Sequence, residues 1–145
     1  MFGNSISVDA IFLKTEFDFI ISKIEYIKNL GVNAVWITPC YESPEADNGY
    51  DISDYRAIGE KYGGMAKMEE LIAALHENGI AVILDFVANH TSTAHPWFQE
   101  AKKSKDNPYR DYYIWRNEPN DWQSVFGGSA WEFDVETGEY YLHSF

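Results

Sequence analysis

The stretch Asn78-Gly79-Ile80-Ala81-Val82-Ile83-Leu84-Asp85-Phe86-Val87-Ala88-Asn89-His90 runs from a turn through an apolar strand into a polar end. Ile80 to Leu84 is apolar and rich in β-branched residues, the pattern of a parallel strand covered on both faces. The chain then presents an acid, an amide and an imidazole within six residues, Asp85 to His90. In barrels of alternating strands and helices, the C-terminal ends of the strands are where chemistry is placed. Upstream, Met65, Met68, Leu71, Ile72 and Leu75 mark one face of a helix that Asn78-Gly79 closes. The same grammar occurs earlier. Ile20, Ile24, Ile27 and Leu30 recur at helical spacing, with Lys23 and Lys28 between them, and Gly31 stands where a helix end wants a left-handed residue. Asn33 to Pro39 then reads as a strand that Pro39 ends.

Helix, glycine and apolar strand, twice over, is the pattern of a parallel α/β sheet. Right-handed crossovers put the two strands side by side, so the polar loops 40–64 and 87 onward leave the same edge. After His90 the texture changes. Residues 91–145 hold 13 of the 24 aromatics. Trp131-Glu132-Phe133 and Tyr140-Tyr141-Leu142 flank a turn-like Asp134 to Glu139 and predict a hairpin. This part reads as an irregular, β-rich excursion, with Trp97, Trp115, Trp122 and Trp131 as its small core. Glu69-Glu70 and Lys102-Lys103 read as solvated faces.

The 145 residues fit one domain and can bury a core. A formal net charge of −12 argues against nucleic acid or an anionic membrane surface as a partner. Acidity with this many aromatics is not the profile of a disordered chain and suits a neutral, hydroxyl-rich ligand. Cys40 is the single cysteine, so no internal disulfide forms. No leader-like opening and no membrane-length apolar run is present, which makes a reducing cytoplasm the expected compartment.

From Ile20 to Phe145 the chain resembles glycoside hydrolase family 13, the α-amylase family, and within it the oligo-1,6-glucosidase and α-glucosidase branch. The motifs that carry the resemblance are Gly31 to Pro39, Asp47-Asn48-Gly49-Tyr50-Asp51-Ile52-Ser53-Asp54-Tyr55, Asp85 to Ser92, His95-Pro96-Trp97-Phe98, and Phe126 to Trp131 with Tyr140 to His143 behind it. The resemblance implies part of a (β/α)8 barrel. Residues 20–90 would supply about its second and third strands with their helices, and residues 91–145 the start of a domain inserted after the third strand. Residues 1–19 do not match, and the first strand is not recognisable there.

The resemblance also implies roles. Asp85 would support the sugar site, although a lone acid at a strand end equally caps the following turn. His90 would donate a hydrogen bond to the sugar at the cleavage subsite, against the commoner satisfied, partly buried histidine. Tyr50 would stack on the sugar ring, whose C–H groups suit an aromatic floor, or else be an ordinary core tyrosine. Asp51 would accept hydroxyls at the non-reducing end, since charged acceptors make strong hydrogen bonds. Phe126 would line the acceptor side, with core packing its rival reading. Asn89, Asp54 and Tyr55 read as structural.

The intact relatives hydrolyse α-glucosidic bonds of oligosaccharides with retention and without a cofactor. A retaining glycosidase needs a nucleophile and a general acid facing each other. By resemblance these lie on the fourth and fifth barrel strands, which this sequence does not contain, so the chain alone is expected to be inactive. An acidic, glycine-rich metal loop is absent too, because Asp9, Glu16 and Asp18 lack its spacing, and no metal is expected. The oligosaccharide partner is joined by the missing remainder of the barrel, or self-association, as cover for open strand edges. Sucrose or trehalose isomerisation is the alternative within the family. A non-catalytic member or remnant is the alternative outside catalysis.

Overall fold

The computed structural model describes residues 10–13 and 15–145. Its first strand, β1 (Ala10–Leu13), lies in the segment where no strand was expected. Four apolar residues carry no period of their own, so sequence alone could not single them out. The pairing does so: β1 runs parallel to β2 (Ala34–Ile37), from Ala10 opposite Ala34 to Leu13 opposite Ile37.

Two short helices, α1 (Phe17–Ile21) and α2 (Ile24–Asn29), stand where one continuous helix was expected. The break has a local cause. Ser22 Oγ donates to the Phe19 carbonyl at 2.7 Å, a bond back along the chain that competes with the helical ladder. Phe17, Ile20, Ile24 and Ile27 are buried, but Leu30 falls past the end of α2 and is 51 % exposed. Gly31 follows at φ +80°, the left-handed conformation its position calls for.

After β2 the chain makes β3 (Tyr41–Glu42), antiparallel to β4 (Asp54–Ile58). Then α3 (Gly64–Glu77) buries Met68, Leu71 and Leu75, while Met65 in its first turn faces outward. Leu71 and Leu75 are fully buried, each worth about 2 kcal/mol against exposure. Gly79 at φ +73° turns the chain into β5 (Ala81–Leu84), which pairs in parallel with β2 from Ala34 opposite Ala81 to Ile37 opposite Leu84. The sheet order is β1-β2-β5, with β2 and β5 adjacent as right-handed crossovers require. Both strands are shorter than the stretches Asn33–Pro39 and Ile80–Leu84 read from sequence.

The core beside this sheet joins the buried faces of α1, α2 and α3 to Val35, Ile37, Cys40, Ile58 and Ile80. One expectation fails here. β5 is not covered on both faces: Val82 and Ile83 are half-buried, and Leu84 is 38 % exposed. It is an edge strand, paired only with β2, so part of its apolar surface meets no partner among the described residues.

The chain divides into two units, with the change at Ser92 and Thr93. The second unit opens with α4 (Pro96–Ala101). His95 caps it, its Nδ1 accepting from the Trp97 N–H at 3.1 Å, and Pro96 occupies the first helical position. A three-stranded antiparallel sheet follows, β6 (Trp115–Arg116), β7 (Trp131–Asp134) and β8 (Glu139–Leu142), in the order β6-β8-β7. The expected hairpin is β7–β8, with Trp131 opposite Leu142 and Asp134 opposite Glu139.

The core of this unit is smaller than the four tryptophans suggested. Phe98, Ala101, Ala130 and Trp131 are buried, whereas Trp97 is 43 % and Trp122 55 % exposed. Trp115 stacks on Phe98 and beneath the Arg110 guanidinium, 3.3 Å from its ring centre. Lys102 is not a simple solvated charge either, since it lies 3.7 Å from the buried Asp134 and 3.2 Å from Glu136.

Candidate functional site

Because β2 and β5 run parallel, their C-terminal ends open on one edge of the sheet. The segments leaving that edge carry most of the polar side chains that the sequence singles out. Asp85 begins the departure: its N–H still donates to Ile37 O at 3.3 Å, after which the chain leaves the sheet. From β2 the chain passes through β3 into the loop 43–53 and returns along β4.

Asp51 organises that loop. Its Oδ1 accepts from Ser43 Oγ at 2.9 Å and from the Asp47 N–H at 3.0 Å, and its Oδ2 accepts from the Ala46 N–H at 2.9 Å. Burial alone would raise its pKa, but these donors hold the Asp51 carboxyl below the usual carboxylate range. The loop is tight enough to place Glu45 at φ +62° and Asn48 at φ +50°, left-handed positions that glycine normally takes.

Tyr50 stands at the end of this loop, partly exposed, and its hydroxyl donates to Asp85 Oδ2 at 3.0 Å. Partial burial, that hydrogen bond, and the charges of Asp85 and Asp47 together push the phenol above its ordinary pKa. Tyr41 responds in the same direction, through burial and the proximity of Cys40 and Asp85.

His90 closes the arrangement. Its Nε2 lies 3.0 Å from the Tyr50 carbonyl oxygen, and its Nδ1 lies 3.3 Å from Asn89 Nδ2. A carbonyl only accepts, so Nε2 carries the proton and Nδ1 accepts from the Asn89 amide. Tyr55 ties the segment from below, its hydroxyl reaching the Val87 carbonyl at 2.7 Å and the His90 carbonyl as well. The Ser92 N–H donates to Ile52 O at 2.8 Å and holds the far end.

Four of the five expected site residues, Tyr50, Asp51, Asp85 and His90, therefore share this edge of the first unit. Tyr50, Asp85 and His90 are linked directly. Asp51 shares the loop, but its oxygens are already engaged within it. Phe126 belongs to the second unit, where it is 76 % exposed and its ring centre lies 5.8 Å from that of Phe145. It projects from the Gly127-Gly128 turn, and the Gly127 N–H closes that turn on Ser124 O at 3.0 Å. A shallow cleft of about 370 Å³ lies nearby in the same unit, lined by Trp122, Gln123, Val125, Ala130, Leu142 and His143 among others.

Sequence reasoning passed over two residues beside Asp85 and Tyr50. Tyr41 was readable as a phenol just past the Pro39 strand end. Asp47 opens the same loop motif as Tyr50, and its carboxylate is not the one enclosed by the Asp51 hydrogen bonds. Among the described residues, no three His, Cys, Asp or Glu side chains converge as a metal site would require.

The sequence profile of the alpha-amylase catalytic domain matches residues 14–145, so the match begins ahead of Ile20. The chain is 59 % identical over 131 residues to an oligo-1,6-glucosidase of Parageobacillus thermoglucosidasius, covering 87 % of this chain and 23 % of that enzyme. It is 55 % identical over 126 residues to a glucan 1,6-alpha-glucosidase of Streptococcus dysgalactiae subsp. equisimilis, covering 87 % and 24 %. Its fold superposes on the crystal structure of an isomaltulose synthase from Erwinia rhapontici, solved with its natural substrate sucrose. The TM-score is 0.93 at 42 % identity, over 95 % of this chain and 28 % of that one. The chain thus spans about a quarter of the length of the curated relatives it matches.

Proposed function

The chain belongs to the alpha-amylase family, and from that premise we propose that it is the glucosyl-binding part of an α-glucosidase-like glycoside hydrolase acting on α-glucosidic bonds of oligosaccharides. In this reading β1, β2 and β5 are the first three strands of a (β/α)8 barrel, and the second unit begins the domain inserted after the third. The observation that carries the reading is the Tyr50–Asp85 hydrogen bond of 3.0 Å, made across two loops at the C-terminal edge of a parallel sheet. It sets an aromatic face beside a charged acceptor, which together suit a pyranose ring and its hydroxyls.

Within that subsite Tyr50 is the stacking floor, and Asp85 accepts hydroxyl hydrogen bonds. His90 donates through Nε2, exchanging the Tyr50 carbonyl for a sugar oxygen. Asp51 acts by holding the loop, and Asp47, whose charge reaches Tyr50, becomes the second acidic candidate for a hydroxyl. Phe126 is proposed for the acceptor side. Bond cleavage with retention needs a nucleophile and an acid–base carboxyl from strands beyond these three.

Calorimetric titration with glucose tests the binding claim. Heat that disappears in His90→Ala is expected, and no heat with the wild-type chain sinks the reading. Incubation with 4-nitrophenyl α-glucoside tests the second claim. No release above the His90→Ala control is expected, and measurable release would refute the need for further strands. The likeness to the sucrose-bound isomaltulose synthase favours a second reading, sucrose isomerisation by the whole protein, which heat with sucrose but not with isomaltose would support.

A further inference from the structure

Tyr55 lies on β4, outside the loop that carries Tyr50 and outside the segment that carries His90. Its ring packs tilted against Tyr41, with centres 6.2 Å apart. A phenylalanine could keep that packing, so the hydroxyl answers to something else. It reaches the carbonyl oxygens of Val87, at 2.7 Å, and of His90. Carbonyls only accept, so one phenolic proton is shared between two acceptors three residues apart in sequence.

Between those two points the chain has neither helix nor strand to fix it. The segment is tethered at its ends, by the Asp85 N–H on Ile37 O and the Ser92 N–H on Ile52 O. Between those tethers the Tyr55 hydroxyl grips the backbone of the segment at Val87 and His90. The position of the His90 backbone sets where the imidazole can reach, and Nε2 meets the Tyr50 carbonyl at 3.0 Å.

We propose that Tyr55 is a positioning residue. Its hydroxyl curls the Val87–His90 turn so that His90 is held as the Nε2–H tautomer against the Tyr50 carbonyl, ready to pass that donor to a sugar oxygen. The inference deepens the proposed function and rests on His90 being a glucosyl contact. Tyr55 itself touches no sugar. It acts through backbone carbonyls, and when the hydroxyl is removed the two end tethers keep the segment attached while the turn between them relaxes.

The test is Tyr55→Phe in the full chain, read by long-range ¹H–¹⁵N NMR of the imidazoles and by glucose calorimetry. In the wild type the His90 nitrogens should show the separated shifts of a single Nε2–H tautomer. In Tyr55→Phe they should move toward the averaged values of two exchanging tautomers, with glucose binding weakened about tenfold. His90 shifts identical in the two proteins would overturn the proposal, whatever glucose does. Absence of glucose binding by the wild type would count against the proposed function instead, leaving the sugar-free NMR comparison to judge the clamp. Should Tyr55→Phe fail to fold, the wild-type chain still decides. A slowly exchanging Tyr55 hydroxyl proton close to His90 supports the clamp, and one lost to fast exchange with water refutes it.

Discussion

A carboxylate is useful to a ligand only through the lone pairs that the protein leaves open. Asp51 has given its oxygens to Ser43, Ala46 and Asp47, and Asp85 has taken one phenol from Tyr50. The sequence shows both as acids in polar motifs and cannot tell them apart, because the difference is made by backbone N–H groups four and five residues away. Asp51→Ala should therefore act on the loop before it acts on any ligand. Loss of three hydrogen bonds to one partly buried carboxylate is expected to cost about 2 kcal/mol, measured as a lower denaturant midpoint. The sign of the pH effect follows from the lowered Asp51 pKa. A group with a folded pKa below its unfolded one adds stability above the unfolded value, and that stability is lost as pH falls through the folded value. The wild type should thus lose its advantage over Asp51→Ala only below about pH 4, the unfolded Asp range. An advantage constant down to pH 2 would remove the carboxylate from the explanation.

At the scale of elements, period and punctuation were legible, and with them the pairing of β2 with β5 and of β7 with β8, while the pairing of β1 was not. α3 and the glycine after it could be read because fourteen residues repeat one apolar face. β1 could not, because its partner lies more than twenty residues on. The helix before Gly31 has the right spacing and still breaks at Ser22, where a side-chain oxygen competes locally with the backbone. In the second unit the aromatics announced a core but not what locks it. That work falls to Arg110, which is 6 % exposed, donates to Ala101 O at 2.9 Å and Thr137 Oγ1 at 3.2 Å, pairs with Glu139 and lies on Trp115. One cation thereby joins the end of α4 to the β7–β8 turn and to β8. Arg110→Ala should destabilise the second unit by about 3 kcal/mol, because it removes a buried guanidinium with its hydrogen bonds to Ala101 O and Thr137 Oγ1 and leaves Glu139 only its ion pair with Lys105 at 2.9 Å. Hydrogen exchange resolved along the chain checks this. Faster exchange in residues 131–142 with residues 64–84 unchanged is expected, and uniform acceleration through both units would show that Arg110 does not act locally.

For the whole molecule, the most consequential surface is the free edge of β5. Its strand, Ala81–Leu84, has no charged residue, and among the described residues nothing pairs with it on the side away from β2. Leu84 is 38 % and Phe86 81 % exposed just where the polar segment begins. Unpaired N–H and C=O groups beside exposed apolar side chains are a template for another strand, and soluble proteins normally guard such edges with charge, proline or cover. The net charge of −12 opposes association at long range, but it places no charge on this strand. The sequence foretold open edges only from the count of recognisable strands. It could not say that the outer face of β5 would be the one left bare, since the same apolar run reads as a strand buried on both sides. The chain at tens of micromolar should therefore sediment as species heavier than one copy. The double substitution Leu84→Lys with Phe86→Lys, which leaves Tyr50, Asp85 and His90 in place, should weaken that association at least about tenfold by putting like charges on the self-pairing edge. Raised salt should restore part of the association in the double variant by screening those lysines. A wild-type chain that stays monomeric across this range would mean that something else on its own surface guards the edge.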